Sequence, residues 1–341
     1  MKLSVIIPAY NVENYIVECI DSLLLQIPAP NELIIINDGS TDNTLALIER
    51  KYQNVSNVHI YTIANGGLGQ ARDYGIARAH GEFVFCCDPD DVLAPGFFNE
   101  LSKVSDEHPQ LEMFCFNSVM FDDDARARTQ PKLTHQRWGF MPAKQVFTSL
   151  LETGNYTSAT WNYALKREMI VRNGMKYTRR LHEDHIFTVE AFLRSGLAFV
   201  SKHVYYKQRI RSGSLTNSAR DESFYRQRYD AFLGSYNMLL VLLDQAPDRD
   251  YLKRLYVIHS FKLMMYLYIW DNASPSHYVL DAVKYLGRDF KPGSLSNLIL
   301  LKNPSLYASL IRMKVNRRLT REQKMRVSER KDASVYSQDT L

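Results

Sequence analysis

The strongest constraint on the fold of this chain is a rhythm in its first ninety residues, where short apolar runs alternate with segments of helical periodicity. Leu3-Ser-Val-Ile-Ile7, Leu33-Ile-Ile-Ile36, Val58 to Ile63 and Phe83-Val-Phe-Cys-Cys87 each read as a strand. Between the first two, Ile16, Cys19, Ile20, Leu23 and Leu24 share one helical face. Asn11 is placed to cap that helix, and Pro28 and Pro30 to end it. Ser40 or Thr41 is expected to cap a second helix, with Asp42 in its first turn. The Gly66-Gly67-Leu68-Gly69 turn leads into a third helix, which Gly81 stops. Strands that are apolar throughout are buried on both faces. The pattern therefore predicts an α/β fold, a Rossmann-like and mostly parallel sheet flanked by helices.

Sheets of this kind bind ligands beyond the carboxyl ends of their strands, so the residues that follow each strand are the candidate site. These are Pro8-Ala9-Tyr10-Asn11, Asn37 to Asp42, and Asp88-Pro89-Asp90-Asp91. The last segment sets three carboxylates within four residues at the end of a buried strand. Their mutual repulsion is relieved by a hard divalent cation, held by one or two carboxylates and completed by substrate phosphates. Such an ion neutralises charge on a departing diphosphate. A solvated acidic turn is the bland alternative. Asp38 is placed to accept hydrogen bonds from a uracil or ribose edge, or to satisfy its own turn. Tyr10 is placed to stack on a base, or to cover the sheet end.

Gly66-Gly67-Leu68-Gly69-Gln70-Ala71-Arg72 is neither a dinucleotide fingerprint nor a P-loop, since Arg72 takes a position that needs Gly or Ala and no Lys-Ser/Thr follows. Arg72, at the start of a helix, could reach a diphosphate. His182-Glu183-Asp184-His185 precedes a helical pattern, where a carboxylate is held ionised and can take a proton from an attacking hydroxyl; simple capping is the alternative. Tyr206 to Thr216 alternates basic residues and then reads as a loop, either a lid over an anionic ligand or an exposed strand and turn.

Taken together, these segments resemble family 2 of the inverting glycosyltransferases, which have the GT-A fold. The resemblance rests on Val5-Ile-Ile-Pro-Ala-Tyr-Asn11, Asn37-Asp-Gly-Ser-Thr-Asp42, Gly69-Gln-Ala-Arg72 and Gly81-Glu-Phe to Asp88-Pro-Asp-Asp91. It continues through Glu183-Asp184 and Arg209-x-Arg211-x-Gly213-Ser214. It implies that Pro8, Tyr10 and Asp38 meet the nucleotide, usually with uracil as the base. Arg72 would support base or diphosphate, and Asp88 would contact ribose or sugar. Asp90 would be the main metal ligand, to Mn2+ or Mg2+. Asp184 would be the catalytic base, and Arg209 and Arg211 would close over the diphosphate; His182, near that carboxylate in sequence, is read as a further site residue from the segment itself. The implied reaction is a hexosyltransferase-type, in-line transfer from a nucleotide-sugar, a UDP-sugar by this reading, to a glycan or lipid-linked acceptor of surface polysaccharide or oligosaccharide synthesis. Two positions depart from the family's habit: Asp73 stands where Asn is common, and Pro89 where Ser or Ala is usual. The competing readings are an inactive glycosyltransferase-like scaffold and a sugar-1-phosphate nucleotidyltransferase. The latter carries a Gly-rich loop with Arg after its first strand, unlike Pro8-Ala9-Tyr10-Asn11.

The chain has 341 residues, enough for a catalytic domain expected over 1–220 and a helical C-terminal region over 221–341. Hydrophobic residues make up 45%, which excludes a disordered chain. Cys19, Cys86, Cys87 and Cys115 lack zinc spacing and read as reduced and buried. Leu3 to Ile7 is too short for a signal peptide, and no apolar window of about 18 residues exists for a membrane span. The expectation is a cytoplasmic protein. From Arg312 to Lys331 nine Lys or Arg face Glu322 and Glu329, beside Leu306, Leu310, Ile311 and Met313. This basic, amphipathic stretch is expected at an anionic membrane surface on the inner face of the cell membrane, with a solvated helix or a homo-oligomer contact as alternatives. No nucleic-acid partner is expected.

Overall fold

The computed structural model describes residues 2–122, 129–177, 182–210 and 220–317. The elements run β1 (Leu3–Ala9), α1 (Ile16–Leu24), β2 (Glu32–Asn37), α2 (Thr44–Tyr52), β3 (Val58–Thr62), α3 (Leu68–Arg78) and β4 (Phe83–Cys86). After these come β5 (Val92–Leu93), α4 (Phe97–Glu107), β6 (Leu111–Asp122), β7 (Thr129–Leu133), β8 (Gly139–Pro142), α5 (Ala143–Thr153), β9 (Tyr163–Lys166) and α6 (Arg167–Arg172). The chain continues with α7 (Asp184–Arg194), β10 (Leu197–Ile210), α8 (Glu222–Leu242), α9 (Arg249–Trp270), α10 (His277–Gly287) and α11 (Leu295–Lys302), and 304–317 is helical.

All these strands join one sheet, in the order β3-β2-β1-β4-β9-β6-β10-β5, with β7 on β6 and β8 on β10. The first four strands pair in parallel, as their apolar runs predict. Beyond them the pairing is mixed: β10 runs parallel to β6 along most of its length. Antiparallel β9 is inserted between β4 and β6, and β5, β7 and β8 are also antiparallel to their neighbours. β1, β2 and β4 are buried along their whole length, whereas β3, at the edge, is buried only at Val58.

Ile16, Cys19, Ile20 and Leu23 of α1 pack onto the sheet with Val5, Ile7 and Leu33, as the periodicity requires. Further along, Phe97 of α4 meets Phe85, Phe114 and Phe116 at ring separations of 5.0 to 5.6 Å. On the other face α3 lies against β1, and the contact is closest at Gly75, where an added Cβ would stand 2.5 Å from Ile6 Cγ2. The four cysteines are free and buried.

The expected helix caps take another role. α1 and α2 begin at Ile16 and Thr44, later than the capping residues foresee; the residues just before them, Tyr15 and Asn43, cap neither, and Asp42 Oδ1 accepts from Thr44 N–H at 3.0 Å. Asn11, in the left-handed region at φ 50°, accepts from Thr41 N–H at 2.8 Å, and Ser40 Oγ accepts from Asn11 N–H at 3.2 Å. These polar residues join the loop after β1 to the loop after β2.

The chain divides into compact units Met1–Leu252 and Lys253–Leu341, not between residues 220 and 221. α8 belongs to the first unit because it packs on α7. In the second, Val257, Phe261, Met265, Val279, Val283 and Leu300 are buried. Among the described residues no helix is long and apolar enough to cross a membrane.

The tight crossing at Gly75 gives a stability prediction. Gly75→Ala forces a shift between α3 and β1 and should destabilise the fold by about 1–3 kcal/mol, read as a lower urea midpoint with an unchanged slope.

Candidate active site

The rim is built by side chains that bind one strand-end loop to the next. Glu13 Oε2 accepts from Asn43 N–H at 3.0 Å, and Glu13 N–H donates to Asp42 Oδ2 at 3.2 Å. Asp38 is buried, and its two oxygens accept from Gly66 N–H at 2.8 Å and Gly67 N–H at 2.9 Å. It therefore holds the glycine loop that starts α3, where Gly67 sits at φ 91°. Pro8 is buried within β1, and Tyr10, the first residue beyond it, is about half exposed at 47%.

Arg72 is not a surface residue. It is 3% exposed, its Nη2 lies 2.8 Å from Asp88 Oδ1, and its Nη1 lies 2.6 Å from Glu183 Oε1. The guanidinium also stands 5.4 Å from the Tyr177 ring centre, and Tyr177 stacks on Phe187 of α7 at 4.2 Å. Glu183 comes this close because α3 has no side chain at Gly69, where a Cβ would meet Glu183 Cγ at 3.0 Å. Burial pushes the Glu183 carboxyl up to about 7 against the pull of Arg72, and the neighbouring Asp184 adds to the rise. The two carboxylates hold Arg72 charged against the opposing effect of its burial. Arg72 thus ties the end of β4 to the start of α7, and the donor contact that the sequence suggests for it would be made by a guanidinium already engaged twice.

The three carboxylates of the acidic turn are not equivalent. Asp91 is buried: Tyr206 OH donates to its Oδ2 at 2.7 Å, and Arg209 N–H donates to its Oδ1 at 2.7 Å. Asp88 and Asp90 are half-buried. Tyr206 OH also accepts from Asp88 N–H at 3.1 Å, and its ring stacks on Trp161 at 4.4 Å. Burial, opposed by Arg72 and reinforced by Asp90, raises the Asp88 carboxyl; burial followed by Asp90 and Asp88 raises Asp91 well above its usual range. Among the described residues no group of three or more His, Cys, Asp or Glu is arranged to hold a metal by itself.

Asp184 is the first residue of α7, is half-buried, and accepts from Ser158 Oγ at 3.1 Å. Its charge raises both Asp88 and Glu183, which places it in the same electrostatic field as the acidic turn. His182, in the left-handed region at φ 58°, turns its ring edge-on to Phe224 at 5.0 Å and to His185 at 5.6 Å.

The lid expected over residues 206 to 216 does not begin at 206. Residues up to Ile210 belong to β10, paired with β6 on one side and, at Tyr206 and Lys207, with β5 on the other. Arg209 is buried. Its Nη2 lies 2.6 Å from Glu18 Oε2, its Nε donates to Asp90 O at 2.8 Å, and its guanidinium lies over the Tyr15 and Phe121 rings at 5.2 and 4.6 Å. Arg211, Gly213 and Ser214 lie outside the described residues.

The structure adds Glu18, Trp161, Ser158 and Tyr206 to the site. Tyr206 adjoins a recognisable basic stretch, but nothing in the local sequence signals Glu18, Trp161 or Ser158.

Arg72 thus braces a rim of carboxylates at the ends of the parallel strands. The pattern that defines Glycosyl transferase family 2 matches residues 4–172. The chain is 30% identical over 244 residues to the uncharacterized glycosyltransferase EpsJ of Bacillus subtilis (strain 168), covering 69% of this chain and 70% of EpsJ. The chain belongs to glycosyltransferase family 2.

This glycosyltransferase is also 30% identical over 238 residues to the poly(ribitol-phosphate) beta-N-acetylglucosaminyltransferase TarS of Staphylococcus aureus (strain Mu50 / ATCC 700699), a match of 66% of this chain but 39% of TarS. The crystal structure of TarS 1–349 in complex with UDP-GlcNAc superposes with a TM-score of 0.71 at 21% identity, covering 93% of this chain and 92% of that one, and shares the fold. Family membership sets aside the nucleotidyltransferase reading.

Asp73 explains one departure from the family's habit and yields a prediction. It accepts from Tyr177 N–H at 3.1 Å, which Asn would also do, and burial raises its carboxyl to about 6. A carboxyl raised on folding binds more protons in the native state, so its contribution is present at acid pH and lost as pH rises through about 6. Asp73→Asn should therefore raise the melting temperature most at pH 8, less at pH 5, and leave it nearly unchanged only below the unfolded carboxyl's value of 3.8. Removing one partner of a buried ion pair costs about 3–5 kcal/mol, so Arg72→Ala should lower stability on that scale, measured by urea unfolding.

Proposed function

We propose that this glycosyltransferase moves a sugar from a nucleotide-sugar, UDP-linked, to a hydroxyl of a glycan or lipid-linked acceptor in surface polysaccharide or oligosaccharide synthesis, with inversion. The observation that carries the reading is that Asp88, Asp90 and Asp184 share one electrostatic field at the carboxyl ends of the parallel strands, joined through Arg72 and Glu183. Support for the donor class comes from TarS, which binds UDP-GlcNAc in this fold.

Tyr10, half exposed at the end of β1, would stack on the base, and Asp38, which holds the glycine loop, would meet the uracil or ribose edge. Asp88, oriented by Arg72 and by Tyr206, would accept from ribose or sugar hydroxyls. Asp184 would remove the acceptor hydroxyl's proton. The freed oxygen attacks the anomeric carbon from the face opposite the diphosphate, whose bond to that carbon breaks, so the product is inverted. Ser158, donating to Asp184 Oδ2, fixes the direction of that carboxylate and leaves its other oxygen for the proton.

The donor set fits a hard divalent ion, Mn2+ or Mg2+, at Asp90. The turn sets three carboxylates within four residues, their oxygens are the ligands such ions prefer, and the remaining positions would be filled by diphosphate oxygens and water. When bound, the ion neutralises charge on the departing diphosphate. A lipid-linked acceptor would bring the enzyme to the inner face of the cell membrane as a peripheral protein.

Calorimetric titration of UDP, GDP and dTDP with and without Mn2+ tests the donor site. Metal-dependent UDP binding that disappears in Asp90→Ala is expected, and a preference for GDP or dTDP would replace the donor class. Asp184→Asn should keep UDP affinity and lower kcat by roughly 10²–10⁴-fold, the usual worth of a positioned base. Turnover that survives this change would remove Asp184 from the role.

A further inference from the structure

The second compact unit carries an apolar face that its own core does not use. On α9, Leu263, Tyr266 and Trp270 recur at helical spacing and are 37, 40 and 71% exposed. On the helix over 304–317, Leu306, Leu310 and Met313 do the same at 46, 42 and 50%. The two stripes belong to adjacent helices. Burial raises the Tyr307 hydroxyl and its neighbour Tyr266 adds to the effect, while Arg312 Nη2 donates to Ala273 O, just beyond α9, at 2.5 Å.

The charge of the same unit is as uneven. Lys253–Leu341 holds sixteen Lys and Arg against seven Asp and Glu, a formal charge of +9. Residues before it hold twenty-six against thirty, a formal charge of −4. The positive balance of the whole chain therefore resides in this unit, with exposed Lys302, Lys314 and Arg317 beside the apolar residues and the basic run to Lys331 following in sequence.

We propose that this face rests on an anionic lipid surface, with Trp270, Leu306, Leu310 and Met313 at the boundary between headgroups and acyl chains and the Lys and Arg residues against the headgroups. Tryptophan and tyrosine favour that boundary, since each has an apolar body and a polar tip. The combination of apolar and basic side chains distinguishes the partner. A soluble acidic polymer would leave Leu306, Leu310 and Met313 in water. A two-fold contact with a second copy would bring two units of formal charge +9 together. A lipid surface satisfies both groups at once. The inference deepens the peripheral-membrane reading and does not depend on the donor chemistry.

The test is co-sedimentation of the full chain with phosphatidylcholine vesicles, with and without phosphatidylglycerol. Binding should require the anionic lipid and weaken steeply as salt is raised. The double variant Leu310→Glu/Met313→Glu should lower vesicle affinity at least tenfold. So should Lys314→Glu/Arg317→Glu, which alters charge without touching the core. Quenching of tryptophan fluorescence by acyl-brominated lipid should fall in Trp270→Phe. The thermal unfolding midpoint and helical circular dichroism should be unchanged in all three variants, which certifies their folding without reference to the donor site and separates this outcome from failure of the donor reading. Equal binding to uncharged vesicles, or full binding by either double variant, overturns the proposal. So does a concentration-dependent dimer that Leu310→Glu/Met313→Glu dissociates, which would assign the face to a second copy.

Discussion

The arrangement of the site depends on one buried cation. Arg72 reaches from α3 to Asp88 at the end of β4 and to Glu183 at the start of α7, so three elements distant in sequence meet at one guanidinium. A charge so deeply enclosed is tolerable only because both of its partners are anionic and within hydrogen-bond distance. The surrounding details serve that contact. Gly69 leaves room for Glu183, Asp73 holds the Tyr177 backbone, and Tyr177 lies flat against Phe187 of α7. Asp184, the next residue after Glu183, is delivered to the rim as a consequence.

The strand-end loops follow a related logic. Polar residues of the kind that cap helices are used instead to join neighbouring loops, as Asn11 does with Thr41 and Glu13 with Asn43. α1 consequently begins without a side-chain cap, its buried face providing the stability that capping would have added, while at α2 Asp42 accepts from the first helical N–H. A rim tied in this way keeps its shape before a ligand arrives, which lowers the ordering cost of binding.

Much of this was readable in advance, and what was not has a physical cause. The first four strands and the helices between them follow from local apolar periodicity, which one segment can display alone. The acidic turn stands out because three carboxylates in four residues repel one another at the end of a buried strand. Sequence could not separate Asp91 from Asp88 and Asp90, because the difference lies in Tyr206 and Arg209, more than a hundred residues away. Likewise Arg72 reads as a helix-start arginine until Glu183 is brought to it. The mixed pairing of β9 was hidden for the same reason, since four residues flanked by short helices carry no signal of which neighbours they will have.

The reach of β10 bears on how the enzyme can be divided. The stretch that defines the family ends at residue 172, yet the acidic turn within it is held by Tyr206 and Arg209 from β10. A fragment cut at the end of that stretch would leave Asp91 buried without its donors and Arg72 without Glu183. The recognisable module is thus smaller than the functional one. Shuffling of donor halves between relatives, by evolution or in the laboratory, would have to carry the chain through Ile210 for the transferred turn to retain its shape.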